Sequence, residues 1–208
     1  MESPIAVSSN YVPWNKGKLI GQRPALKLKE VWAIRIRLQI SKNLQELALF
    51  NLAIDSKLRS CDLVKLKVSD VSSFDSVSSR AMVMQQKTRM PVQFEITLGT
   101  RDALQAHISN AALAMDDFLF KSRLSRSDHL STRQYARLLK KWIASIGLDP
   151  TIYATHSMRR TKASLIYKRT KNLRAVQLLL GHKKLESTVK YLGVEVDDAL
   201  EIAEKTEI

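Results

Sequence analysis

Between residues 43 and 55 the chain is apolar on nearly every side, through Leu44, Leu47, Ala48, Leu49, Phe50, Leu52, Ala53 and Ile54. A helix patterned this way has no solvent face, so it is expected at the centre of the core. The stretch before it, 26–40, carries two patterns at once. Ile34, Ile36, Leu38 and Ile40 alternate with Arg35, Arg37 and Gln39 as in a strand, while Leu28, Trp32, Ile36 and Ile40 fall at i, i+4 steps. Most of its other residues are good helix formers, which selects a helix, with Arg35 and Arg37 read as solvated or phosphate-facing. Serines dominate 69–79, a loop. Residues 80–85 and 92–98 read as two strands: Val92, Phe94, Ile96 and Leu98 alternate with Gln93, Glu95 and Thr97, and Q-K-T-R-M-P makes a hairpin connection. A helix follows over 100–114, with Leu104, Ile108, Ala111 and Met115 at core spacing, then a linking loop over 117–129 with Lys121, Arg123 and Arg126 as candidate phosphate contacts. Ser131-x-x-Gln134 can form a capping box. It opens an amphipathic helix with Tyr135, Leu138, Leu139, Trp142, Ile143 and Ile146 on one face, closed by Gly147. Helices are expected over 155–167 and 172–180, the second with Leu173, Val176, Leu179 and Leu180 inward. A last short helix carries Tyr191. The predicted fold class is mainly α with a small antiparallel β-hairpin, α+β.

The 208 residues suffice for one core and an arm. The division expected is a basic arm over 1–26, a folded domain over 27–193 and an acidic tail over 194–208. Pro4, Pro13 and Pro24 with Gly17 and Gly21 break up the arm, which also holds Lys16, Lys18, Arg23, Tyr11 and Trp14. Such an arm either tracks a DNA backbone or minor groove, or drapes on its own domain through Trp14. Net charge is +14, but the tail holds six acids and one lysine, a net of −5, so the preceding 193 residues carry +19. A field of that sign selects a polyanion. No apolar run reaches the roughly 20 residues that span a bilayer, and nothing at the start reads as a signal peptide, so nucleic acid is favoured over membrane. Cys61 is the only cysteine, which excludes an internal disulfide and fits a cytoplasmic setting. One cysteine and four histidines offer no zinc-type spacing, so no metal is expected.

The candidate chemistry concentrates late in the chain. His156 and Arg159 lie three apart on a predicted helix and share a face, with Arg160 beside them. Leu180-Gly181-His182 follows, Gly181 being a natural helix stop, and Tyr191 comes nine residues after that histidine. An arginine fork matches phosphate oxygens, an imidazole moves protons near neutral pH, and an activated phenol can attack and form a covalent intermediate. The set suits transesterification of a phosphodiester without a metal.

In this order and spacing, H-x-x-R, L-G-H and Tyr resemble the C-terminal boxes of the tyrosine recombinase, or phage integrase, family. The resemblance extends over roughly residues 30–192. Arg59, with Asp62 and Leu63, matches the family's first box, although Lys57 stands where the family usually has glycine. Lys87, with Arg89 close by, occupies the place of the family's hairpin lysine. Only the family motif favours Arg159 over Arg160 as the phosphate ligand. The catalytic set implied is Arg59, Lys87, His156, Arg159, His182 and Tyr191, and the fold implied is that family's catalytic domain.

What the resemblance implies is site-specific recombination of double-stranded DNA through a 3′-phosphotyrosine link, independent of metal and ATP and with no cofactor. A prokaryotic, nucleoid-associated protein is implied, working as a homo-oligomer, a tetramer on two DNA sites. Most members carry a further helical domain, whereas this chain is similar in size to the short fimbrial-switch recombinases. That implies more reliance on oligomer contacts or an accessory DNA-bending protein, and the segment after Tyr191 is expected to dock on a neighbouring protomer or on its own body. Two alternatives stand beside it. Type IB topoisomerases use similar groups, but commonly with lysine for the first histidine, where this chain has His156. A non-catalytic DNA-binding regulator on the same scaffold is the other.

Overall fold

The computed structural model describes residues 23–74, 76–122 and 128–193, together with residue 204. Residues 1–22 of the expected arm, Arg123 and Arg126, and the expected tail apart from Glu204 lie outside the described residues. Helix α1 spans Leu28–Ile40, α2 Leu44–Ser56 and the single turn α3 Ser60–Leu63. Two-residue strands β1, Ser72–Ser73, and β2, Ser76–Val77, pair antiparallel, followed by the hairpin of β3, Arg80–Met84, and β4, Pro91–Glu95. The remaining helices are α4 Leu98–Asn110, α5 Thr132–Ser145, α6 Thr155–Thr170, α7 Leu173–Leu180 and α8 Leu185–Leu192.

As its all-round apolar pattern requires, α2 is buried from Glu46 to Ser56 and packs against α1, α4, α6 and β4. Asn43 caps it, the side-chain oxygen accepting from the Glu46 backbone N–H at 3.1 Å. Glu46 in turn accepts the Trp142 indole N–H at 2.7 Å, and the Trp142 ring meets Phe50 edge-on at 5.4 Å. Helix α5 is thereby seated on α2. Its capping box forms as expected, Ser131 accepting from the Gln134 backbone and Gln134 from the Ser131 backbone.

Several expectations shift in register. Helix α1 forms, but its buried face is Val31, Ile34 and Leu38, while Leu28, Trp32, Ile36 and Ile40 face solvent. The sequence contains two overlapping apolar stripes, and packing on α2 takes the i, i+3, i+7 one. Arg35 is not a free phosphate contact: its Nε donates to Asn51 Oδ1 at 2.9 Å and its guanidinium lies over the Trp32 ring. The strand alternation is correct, but β4 stops at Glu95 because Asp55 accepts from both the Thr97 backbone and its hydroxyl, starting α4 early. Helix α4 ends at Asn110, leaving Ala111 and Met115 exposed; His107 takes the inward position, its Nε2 bonded to the Leu119 carbonyl at 2.8 Å. The linking loop is partly core, with Leu119 and Phe120 fully buried, and Lys121 is paired with Asp117 at 2.7 Å. The serine-rich loop contains the short β1–β2 pair.

A second, smaller core gathers Ala163, Tyr167, Val176 and Leu180, with Leu173, Tyr191 and Leu192 against them. It is what holds α8 to the body. Leu179, expected inward, is half-buried.

Candidate active site

Helix α2 ends by turning at Lys57, which adopts the left-handed conformation (φ 55°) that the glycine of the resembling family supplies freely. Lysine holds that turn through its own side chain. Only 1% exposed, its ammonium donates to the Asp55 carbonyl at 2.5 Å and sits 3.0 Å from a Glu95 oxygen. Lys162 on α6 joins the cluster, 2.6 Å from Asp55 and 2.5 Å from Glu95. Two ammonium groups and two carboxylates thus tie α2, β4 and α6 together directly beneath the site. Lys162 lies one helical turn beyond Arg159, so the cluster also fixes the rotation of α6.

The turn places Arg59 at the N-cap of α3, with Nη1 bonded to Gln85 Oε1 at 2.5 Å. Asp62 accepts from the Gln86 backbone N–H at 3.0 Å, and Gln86 donates to the Cys61 carbonyl at 2.8 Å. The hairpin tip is therefore pinned to α3, and exposed Lys87 projects from it.

His156 and Arg159 share the first turn and a half of α6. Arg159 is 2% exposed, and its Nη2 donates to the Leu180 carbonyl at 2.6 Å, while Nη1 is buried with no partner in the protein. Arg160 is held on the other side of Tyr191 by backbone carbonyls: its Nη1 donates to that of Arg23 at 2.9 Å and its Nη2 to that of Leu192 at 3.4 Å. Of the two neighbouring arginines, the first is thus the one gathered with Arg59 through Gln85 and Leu180. His156 stands at the mouth of the site. Its imidazole is held below the usual histidine range, by desolvation against the site wall first and then by the charges of Arg159, Arg59 and Lys87.

Gly181 ends α7 at φ +64°. A Cβ there would collide with Val92 Cγ2 and press on the Gln85 amide, so the α7 terminus lies directly on the hairpin. The turn brings His182 back, its Nδ1 3.1 Å from the buried Thr188 hydroxyl and its ring 5.3 Å from that of Tyr191, edge-on. Burial, then Arg159 and Arg59, push the His182 pKa down to about 4. Tyr191 packs its ring 5.9 Å from the Arg159 guanidinium and 5.6 Å from that of Arg160, and its hydroxyl is buried without a hydrogen-bond partner. Burial raises the phenol to about 12, against the opposing pull of the two arginines. A cavity of about 420 Å³ opens beside it, lined by Arg23, His156, Arg160, Ser187, Lys190 and Tyr191.

Of the six residues singled out in the sequence, Arg59 and Arg159 are joined through Gln85 and the Leu180 carbonyl, and His182 and Tyr191 pack ring against ring with Tyr191 beside Arg159. His156 lines the adjoining cavity, and exposed Lys87 acts on His156 only through its charge. Gln85, Lys57, Lys162 and Thr188 were not anticipated. A glutamine at a turn and a lysine at a helix end carry no periodic signal, and Thr188 is marked only by its distance from His182. Among the described residues no group of histidine, cysteine and carboxylate side chains could hold a metal ion, and no helix is long and apolar enough to cross a membrane.

The model of the phage integrase family matches residues 26–197. A probable integrase/recombinase, YoeC of Bacillus subtilis, is 27% identical over 175 residues, covering 84% of this chain and 91% of its own. Tyrosine recombinase XerC of Chlamydia muridarum is 28% identical over 202 residues, covering 92% of this chain but only 63% of the longer relative. Among solved structures, the XerA recombinase superposes with a TM-score of 0.72 at 20% identity over 89% of this chain and 66% of that one. The catalytic domain of bacteriophage HP1 integrase superposes with a TM-score of 0.59 at 15% identity over 86% of this chain and 95% of that domain. The fold is that of the tyrosine recombinase catalytic domain, and with a family model spanning most of its length the chain belongs to the phage integrase family of tyrosine recombinases.

Proposed function

We propose that this protein cuts and rejoins DNA at specific sites through a covalent 3′-phosphotyrosine intermediate. The observation that carries the reading is the Tyr191 hydroxyl, buried without a partner beside Arg159, whose own Nη1 is equally unpartnered. A buried donor left without a partner is costly, and a phosphate oxygen would satisfy both groups.

In this reading Arg59 and Arg159 hold the non-bridging oxygens of the scissile phosphate, where negative charge grows in the transition state. The Tyr191 oxygen attacks phosphorus and its proton passes to His156, which is neutral at pH 7 because its pKa is depressed. The bond from phosphorus to the 5′-oxygen breaks, and Lys87 supplies the proton that makes the departing strand end a hydroxyl. His182 is neutral as well; with the Thr188 hydroxyl donating to Nδ1, its Nε2–H is available to a phosphate oxygen. A phenol near 12 is a poor nucleophile until phosphate and base arrive together, which guards against idle cleavage. The ester keeps the bond energy, so a partner strand's 5′-hydroxyl reverses the step without ATP or a metal.

The substrate is double-stranded DNA and the working form a tetramer on two sites, aided by an accessory DNA-bending protein. The similar XerH structure is bound to its difH substrate, and the lambda integrase dimer to a core site. Nicked duplexes from the flanks of the protein's own gene provide the test. A protease-sensitive protein–DNA adduct that disappears in Tyr191→Phe is expected. Relaxation of any plasmid without site preference would point instead to a topoisomerase, and tight site binding with no adduct to a regulator.

A further inference from the structure

The two guanidinium groups in the cleft come from distant parts of the fold, Arg59 from the turn after α2 and Arg159 from α6. Between them stands Gln85, the residue that opens the hairpin turn, with no exposed surface. Its Oε1 accepts from Arg59 Nη1 at 2.5 Å and from the Thr88 hydroxyl at 2.8 Å. Its Nε2 donates to the Leu180 carbonyl at 3.3 Å, the same oxygen that accepts Arg159 Nη2 at 2.6 Å. One amide and one carbonyl therefore connect both arginines. The amide cannot turn over: a guanidinium only donates and a carbonyl only accepts, so each end of Gln85 meets the partner it requires. The Gly181 backbone lies close against the amide, since a Cβ built there would stand only 3.2 Å and 3.3 Å from its two heavy atoms.

We propose that Gln85 is a positioning residue that sets the spacing and orientation of Arg59 and Arg159, so that both forks face one phosphate. The proposal rests on the reading of those arginines as the phosphate ligands. An arginine side chain has many rotamers, and each one not preselected must be frozen when phosphate binds. Gln85 removes that cost before binding. It also begins the turn that carries Lys87, and its neighbour Gln86 is held by Asp62. Ordering the arginines and delivering the hairpin lysine are thus one event.

The full chain, labelled with ¹⁵N on arginine, is titrated with inorganic phosphate while the Nε–H signals of Arg59 and Arg159 are followed. Those signals are assigned with Arg59→Lys and Arg159→Lys. In the wild type both are expected to respond with one affinity. Gln85→Met keeps length and volume but removes both polar ends; it is expected to weaken phosphate about tenfold and to abolish the Arg59 response. Thr88→Val, on a half-buried side chain, releases one of the bonds to the amide oxygen and is expected to weaken phosphate two- to threefold. It decides the matter if Gln85→Met fails to fold. A Gln85→Met protein that loses only thermal stability, with phosphate affinity within twofold of wild type and an unchanged rate of Tyr191–DNA adduct formation, overturns the proposal alone. A wild type in which neither arginine responds to phosphate and no adduct forms overturns the reading of the site, and this proposal with it.

Discussion

Arg159 and His182 are where single residues decide most. Arg159 is buried, gives one nitrogen to the Leu180 carbonyl and keeps another unpartnered. A lysine there keeps the charge but, as a compact point charge, lacks the planar fork that can meet the Leu180 carbonyl and a phosphate oxygen in fixed directions. Arg159→Lys is therefore expected to slow single-turnover adduct formation by about 10²–10³-fold, the usual loss for removing a transition-state donor. His182 makes a prediction about pH. Its native pKa of about 4 lies below the ordinary 6.5. Between those values the unfolded chain binds more protons, so its contribution to stability is intact above pH 6.5 and is lost as pH falls through 4. Thermal midpoints measured from pH 7 to 4.5 should fall more steeply in the wild type than in His182→Gln; parallel curves would mean the imidazole is not held neutral. His156, Arg159, His182 and Tyr191 stood out in the sequence because they lie close together at fixed spacings, the first two on α6, His182 in the turn after α7 and Tyr191 on α8. Gln85 was not, since its importance comes from Arg59 and Leu180, 26 and 95 positions away.

The same contrast holds among elements. The capping box of α5 lies within four residues, and Ser131-x-x-Gln134 announces it. Ser131→Ala is expected to cost about 1 kcal/mol in denaturant unfolding. Helix α1 was legible as a helix but not in its buried face, because two apolar stripes competed and only the surface of α2 chose between them. Lys57 stood out in the sequence only as the residue in place of a glycine; how it holds the turn was not legible, since that depends on Glu95 and, through Asp55, on Lys162. Here two effects oppose each other. Lys57→Gly relieves about 1–2 kcal/mol of left-handed strain. It also removes an ammonium from a buried cluster, which typically costs about 3–5 kcal/mol. Lys162 remains against both carboxylates, and Glu95 is partly exposed, so the lower figure applies. The expected net is a loss of roughly 1–2 kcal/mol in chemical denaturation. A more stable Lys57→Gly protein would show that the cluster contributes nothing and that lysine is merely tolerated there.

At the scale of the whole molecule the governing quantity is the uneven charge, +19 over the first 193 residues against −5 over the last 15. Each phosphate neutralised on binding releases counterions, so affinity for duplex DNA falls with salt at a log–log slope of about −0.9 per contact. With about six contacts, a loss on the order of 10³-fold is expected between 50 and 200 mM salt. The acidic segment opposes this attraction only if it lies within a Debye length of the DNA, about 10 Å at 0.1 M. It follows Tyr191 directly: α8 ends at Leu192, beside the basic cleft. A chain ending at Gly193 is therefore expected to bind non-specific duplex several-fold more tightly than the full chain at 50 mM salt, with the two affinities converging near 0.5 M as screening shortens to a few ångströms. Fluorescence anisotropy across a salt series separates the possibilities. Converging curves place the negative charge near the DNA path and make the tail a brake on unspecific binding. Curves that coincide at every salt concentration place it far from the DNA, and its charge then has no part in substrate binding.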